Sequence, residues 1–92
     1  MTETEKKSST LVKEILSKPY RLTLHNDDHN TFDWVIKCLI DICSHEVEQA
    51  NQCAHLVHYK GKCDVKYGNY ELISDMKTKM DNLGLLATIE VN

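Results

Sequence analysis

Basic charge, long apolar runs, glycine and proline are all scarce in this chain of 92 residues. Its 11 Lys and Arg residues are outnumbered by 14 Asp and Glu residues, which leaves no excess positive charge for phosphates. No apolar run approaches the roughly 20 residues that a membrane-spanning helix needs. With only three glycines, the chain has no glycine-rich turn before a helix to hold a phosphate group. The composition therefore argues against nucleic acid and membranes as partners.

The length predicts one small domain with a single core, since a chain of this size buries only about 60–65% of its unfolded surface. The N-terminus has no apolar signal segment, so we expect a cytoplasmic protein. Four cysteines could form disulfides in a secreted protein, but in a reducing compartment buried thiols are favoured. Disulfides and metal ligation are the alternatives for these residues, which are Cys38, Cys43, Cys53 and Cys63.

Charge and apolar periodicity divide the chain into two parts. Residues 1–18 are polar and charged, and Pro19 ends any helix that begins among them. We therefore expect a flexible N-terminal extension over residues 1–18 and a folded core over residues 19–92.

Within the core, the hydrophobic period alternates between that of strands and that of helices. Tyr20, Leu22 and Leu24 alternate with polar residues and predict the first strand. Two helices follow, for which Asn30 and Ser44 are the predicted N-caps. A strand from residue 59, a third helix over about 72–83 and a strand over 86–91 complete the chain. This β-α-α-β-α-β order predicts an α+β fold, a single domain in which three helices pack on one face of a three-stranded antiparallel sheet.

The turn after the first strand carries the most informative polar residues, Asn26-Asp27-Asp28-His29. An α-ammonium group has three donors and needs several acceptors that converge on one point. The Asn26 amide oxygen, the Asp28 carboxylate and a neutral His58 ring nitrogen would form such a set. The apolar helix that begins at Phe32 lies next to this turn in the chain. These residues indicate a site for the free beginning of a polypeptide.

Other interpretations of the same residues remain open. Asn-Asp-Asp before a helix also occurs as ordinary turn and capping chemistry. A catalytic nucleophile would need an activating base and an oxyanion hole, for which the chain offers no arrangement, so we do not expect an enzyme. No established spacing of zinc or calcium ligands is present, so neither a metal nor a cofactor is expected.

Five segments of the chain together resemble the ClpS adaptor family. They are YRLTLHNDD at 20–28, FDWVI at 32–36, EQA at 48–50, VHYKGKC at 57–63 and LLATIE at 85–90. The resemblance covers about residues 19–92, and its specific part is Asn-Asp-Asp combined with Val-His-Tyr-x-Gly-Lys. It implies the β-α-α-β-α-β fold and an adaptor that presents substrates to a Clp-type AAA+ unfoldase and its protease. The substrates of such an adaptor are N-degron proteins, whose first residue is bulky and apolar.

The resemblance also implies roles for particular residues. Asn26, Asp28 and His58 would hold the α-amino group, with Asp27 beside them. The implied side-chain pocket consists of Phe32, Val35, Ala54, Val57 and Leu85. Residues 1–18 would engage the unfoldase during hand-over, and Glu71 would lie on the surface that docks its N-terminal domain. The alternative function is a general protein-interaction module of the same fold without such a pocket.

The chain departs from the family pattern in three places. Family members commonly have methionine where Phe32 and Ala54 stand, so the set of accepted first residues can differ. Asn30-Thr31 replaces a frequent Thr-Pro, and the third helix is expected to be shorter by several residues, which would alter the docking surface.

Overall fold

The fold was taken from a computed structural model, which describes residues 18–92. Its elements in chain order are β1 (Tyr20–His25), α1 (Phe32–Cys43), α2 (Val47–Lys60), β2 (Lys62–Gly68), α3 (Tyr70–Asn82) and β3 (Leu86–Val91). The predicted β-α-α-β-α-β order is confirmed. The predicted extension lies outside the described residues except for its last position, Lys18.

The three strands form one antiparallel sheet in the order β2-β1-β3, with β1 in the centre. Leu24 of β1 pairs with Cys63 on one side and Ala87 on the other, and all three side chains are buried. On the opposite face, the Thr23 hydroxyl donates to the Asp64 carboxylate at 2.8 Å. The apolar residues therefore mark the face that the helices cover, and the other face is polar.

The helices contribute large, fully buried side chains to this covered face, where they join Leu22 and Leu24 of β1. Leu39 of α1 and Ile73 and Met80 of α3 have no exposed surface. The predicted burial of all four cysteines is confirmed. Among residues 18–92, no helix is both long and apolar enough to cross a membrane.

The buried thiols should be unreactive in the folded protein. Burial raises the pKa of the Cys43 thiol to about 11. Burial, together with a hydrogen bond to Cys53, raises the pKa of Cys63 to about 12. Because the thiolate is the nucleophile, native protein treated with iodoacetamide at about pH 8 should keep its mass, and protein unfolded in denaturant should gain four adducts. Rapid labelling of native protein, measured by mass spectrometry, would contradict the burial.

Both predicted helix caps are wrong. The N-cap of α1 is Thr31, whose hydroxyl accepts from the Trp34 N–H at 3.1 Å. Ser44 ends α1 instead of beginning α2, with a left-handed φ of 58° and its N–H donating to the Leu39 carbonyl. The N-cap of α2 is Glu46, which makes no side-chain capping bond. His45, between the two helices, is buried and donates from Nε2 to the Val65 carbonyl at 2.7 Å, and α2 begins only at Val47.

Candidate functional site

The turn between β1 and α1 is organised by the Asp27 side chain. Its carboxylate accepts hydrogen bonds from the backbone N–H groups of His29 and Asn30, both at 2.8 Å, and from the Asn30 side chain at 2.7 Å. Partial burial acts to raise the pKa of Asp27, but these hydrogen bonds together outweigh it and lower the pKa below its usual value. The deprotonated carboxylate therefore stabilises the turn.

This role predicts a pH-dependent contribution to stability. A carboxyl group whose pKa is lower in the folded state stabilises the fold fully above its unfolded pKa, here 3.8, and loses this effect as the pH falls through the folded value. Asp27→Ala should therefore lower the free energy of unfolding at pH 7, and the difference from wild type should be smaller at a pH well below that ordinary value. Denaturant titrations at both pH values measure it, and equal stabilities at pH 7 would contradict the role.

The same turn is anchored to the connection between α3 and β3. The Asn30 side chain donates to the Gly84 carbonyl at 2.8 Å, and the Trp34 indole N–H donates to the Leu83 carbonyl at 3.4 Å. Leu85, which follows directly, is buried. Asn30 therefore links the turn to a segment 54 residues away instead of capping α1.

A backbone hydrogen bond also joins the turn to the C-terminal end of α2. The Asn26 N–H donates to the Gly61 carbonyl at 2.9 Å. Gly61 ends α2 with a left-handed φ of 92° and donates its own N–H to Val57. The strand that was predicted to begin at Tyr59 begins at Lys62, so His58 lies in the last turn of α2 and not in an extended segment.

Phe32, at the start of α1, packs across to α2. Its ring centroid is 4.8 Å from that of His55 and 6.3 Å from that of His58, and both pairs are nearly perpendicular. His58 is exposed and lies edge-on to Tyr59 at 4.8 Å. The beginning of α1, the end of α2 and the turn therefore lie next to one another.

The predicted polar and apolar site residues differ sharply in exposure. Asn26, Asp28 and His58 are exposed, and no group among residues 18–92 hydrogen-bonds to the Asp28 carboxylate. The four predicted pocket residues besides Phe32 are at most 8% exposed, and they are Val35, Ala54, Val57 and Leu85. Three different parts of the chain supply them, namely α1, α2 and the segment before β3. Exposed hydrogen-bond acceptors in the turn and in α2 thus occur in the same region of the chain as buried apolar side chains of α1 and α2. A ligand with a polar head and an apolar side group would need this combination of residue types.

The sequence did not predict the roles that Asn30 and His55 have at the candidate site. The sequence predicted Asn30 as a helix cap and gave His55 no role in the site. The spacing of His55, His58 and Tyr59 at i, i+3 and i+4 indicates that they share one face of a helix, which is the signal that could have grouped them. Among residues 18–92, no cluster of three or more His, Cys, Asp or Glu side chains could hold a metal ion.

Known proteins share both sequence and fold with this chain. A family model for the ATP-dependent Clp protease adaptor protein ClpS matches residues 16–88. The ClpS adapter protein of Campylobacter jejuni (strain RM1221) is 34% identical over 93 residues, covering 91% of this chain and 96% of that protein. That of Oleidesulfovibrio alaskensis is 40% identical over 60 residues, covering 63% of this chain and 58% of the relative.

A solved structure gives the same fold. It is that of Agrobacterium tumefaciens ClpS2 bound to L-phenylalaninamide, with a TM-score of 0.77 and 20% sequence identity. The match covers 83% of this chain and 99% of that one. The order of elements, the antiparallel sheet and the family match agree, and the chain belongs to the ClpS family of ATP-dependent Clp protease adaptor proteins.

Proposed function

We propose that this chain binds the free α-amino group and the bulky apolar first residue of N-degron substrates and delivers them to a Clp-type AAA+ unfoldase. The observation that carries the proposal is the hydrogen bond from the Asn26 N–H to the Gly61 carbonyl at 2.9 Å. This bond holds the Asn-Asp-Asp turn against the end of the helix that contains His58, so acceptors from both segments are available to one ligand.

The proposed contacts match the chemistry of an α-ammonium group. The Asn26 amide oxygen, the Asp28 carboxylate and a neutral His58 nitrogen accept its three N–H donors. Asp27 stays beside them and shapes the turn, since its carboxylate already accepts three hydrogen bonds. Hydrogen bonds that involve a charged group contribute roughly 1.5–3 kcal/mol each when well aligned.

The first side chain is proposed to enter among the apolar residues below. Phe32, Val35, Ala54, Val57 and Leu85 form this pocket, and burying a large apolar side chain contributes roughly 1.5–3 kcal/mol. After the entropy cost of docking, the sum corresponds to about −8 kcal/mol, or micromolar affinity. An internal peptide segment has no ammonium group and would leave the Asp28 carboxylate desolvated without a partner, so the site rejects it.

The ligand of the Agrobacterium tumefaciens ClpS2 structure supports this assignment by its chemistry. L-phenylalaninamide has a free α-amino group, an apolar side chain and an amide in place of the carboxylate, as the first residue of a polypeptide does. Family membership extends the same ligand class to this chain.

Delivery requires a second contact, which we propose is made with the unfoldase. Residues 1–18 engage the unfoldase during hand-over, and exposed Glu71 in the first turn of α3 lies on the surface that docks its N-terminal domain. The chain performs no chemistry of its own and acts in the cytoplasm, where such unfoldases work.

A degradation assay tests the whole function. A Clp-type unfoldase with its peptidase is supplied with two fluorescent proteins that differ only in beginning with phenylalanine or alanine. The chain should accelerate loss of fluorescence for the phenylalanine substrate alone, and removing residues 1–18 should abolish the acceleration while peptide binding persists. No acceleration would reject delivery, and equal acceleration of both substrates would favour the general interaction module.

A further inference from the structure

We infer that His55 is a positioning residue that holds the Phe32 ring and thereby makes the site prefer aromatic first residues to leucine. The inference rests on the proposed function and specifies its substrate class. His55 is exposed and contacts Phe32 in an edge-to-face geometry, with ring centroids 4.8 Å apart and planes at 85°.

The His55 ring is itself held from two directions. Its Nδ1 lies 2.9 Å from the Asn51 carbonyl, and a carbonyl oxygen can only accept, so Nδ1 carries the proton and donates to the helix backbone. Its other neighbour is Tyr59, one helical turn further on, whose ring is stacked at 5.9 Å with an interplanar angle of 28°. A ring fixed by both contacts provides a rigid support for Phe32.

The second imidazole near Phe32 does not provide the same support. His58 lies further away, at 6.3 Å, and its ring nitrogen is assigned to the α-amino group of the substrate. Ala54, the residue just before His55, is 2% exposed and brings little bulk to the pocket. Phe32 also packs against the hydrophobic core on its buried side, and His55 is the nearer of its two imidazole neighbours. We therefore assign to His55 the support of the exposed part of this ring, which is the largest side chain of the proposed pocket.

A ring held in one orientation distinguishes flat side chains from branched ones. An aromatic first residue can pair with Phe32 in an edge-to-face or offset geometry, which is worth about two- to twelvefold in affinity beyond the burial of area. Leucine has no ring and cannot make this pairing. The wild-type site is therefore expected to favour phenylalanine over leucine.

The test is fluorescence anisotropy with two labelled peptides that have free amino termini and differ only in beginning with phenylalanine or leucine. Wild type should bind the phenylalanine peptide on the order of threefold more tightly. His55→Ala should bring the ratio close to one, because Phe32 is released. His55→Phe should retain the preference, because an aromatic ring remains at this position. Leu56→Ala, at the neighbouring 45%-exposed position of α2, should leave the ratio unchanged.

The possible failures are distinguishable. If wild type and Leu56→Ala bind both peptides but His55→Ala keeps the wild-type ratio, or if wild type binds the two peptides equally, the role of His55 is wrong and the proposed function stands. If wild type binds neither peptide, the proposed function is wrong, and the inference about His55, which rests on it, is wrong as well. Loss of the preference in His55→Phe as well would overturn ring packing as the cause and attribute the effect to the Nδ1 hydrogen bond to Asn51, which phenylalanine cannot make.

Discussion

Replacing Asp28 with alanine should weaken binding of a peptide that begins with phenylalanine roughly tenfold to a hundredfold. The magnitude corresponds to the loss of one charge-assisted hydrogen bond to the α-ammonium group. The fold should persist, because Asp28 is exposed and nothing among residues 18–92 hydrogen-bonds to its carboxylate. Isothermal titration calorimetry gives the affinity, and thermal unfolding gives the stability of the same sample.

Asp27→Ala is the matched comparison, since it removes the same carboxylate from the adjacent position. Asp27 accepts three hydrogen bonds inside the turn, so its loss should lower stability and weaken binding less than Asp28→Ala does. Equal losses of affinity would mean that the two carboxylates do not have the separate roles that the hydrogen bonds assign to them. Unchanged affinity in Asp28→Ala would remove this residue from the site.

Leu39→Ala should destabilise the protein by about 2–5 kcal/mol. Leu39 has no exposed surface and belongs to the hydrophobic core, so truncation removes buried apolar surface and leaves a cavity in that core. This is a large part of the roughly 5–15 kcal/mol by which small domains are stable. The melting temperature should fall by at least about 10 °C.

Leu56→Ala controls for the change of residue type. It makes the same truncation in a helix at a position that is 45% exposed, where substitutions usually change stability by no more than about 0.5 kcal/mol. Circular dichroism during heating compares the two variants. Similar melting temperatures for both would contradict the position of Leu39 in the core.

The hydrophobic periods in the sequence were sufficient to predict the elements and their order, because one face of each element is buried. The alternation of Tyr20, Leu22 and Leu24 indicated β1 correctly. The same alternation assigned Thr23 to the solvent-facing side of the strand, yet the Thr23 side chain is only 2% exposed. Its hydroxyl is hydrogen-bonded to Asp64, 41 residues later, and such a partner is set by strand register that a local pattern does not contain.

The predicted element boundaries were wrong where a residue type suits two different structural roles. Asn30 and Ser44 belong to the residue types that cap helices well, but Asn30 is engaged with Asp27 and Gly84, and Ser44 adopts the left-handed conformation that ends α1. Tyr59 was assigned to β2 because Tyr59, Cys63 and Val65 read as alternating apolar residues. Gly61, with its φ of 92°, marks the actual end of α2.

The sequence was sufficient to predict which residues form the candidate site, but not the contacts that position them. The needs of an α-ammonium group brought together the acceptors Asn26, Asp28 and His58, and the resemblance to ClpS added the apolar pocket residues. The Asn26 to Gly61 bond and the contact between Phe32 and His55 depend on how the turn and α1 pack against α2. Those contacts join residues 23 to 35 positions apart in the chain, beyond the reach of any local period.

Recognition of a free amino terminus is the central claim, and one calorimetric titration tests it most directly. The protein is titrated with a peptide that begins with phenylalanine and, separately, with the same peptide acetylated at its α-amino group. Acetylation removes the positive charge and two of the three donors while leaving the side chain intact. The free peptide should bind with micromolar affinity, about −8 kcal/mol, and the acetylated peptide should give no measurable heat of binding. Equal affinity for the two peptides would contradict the account.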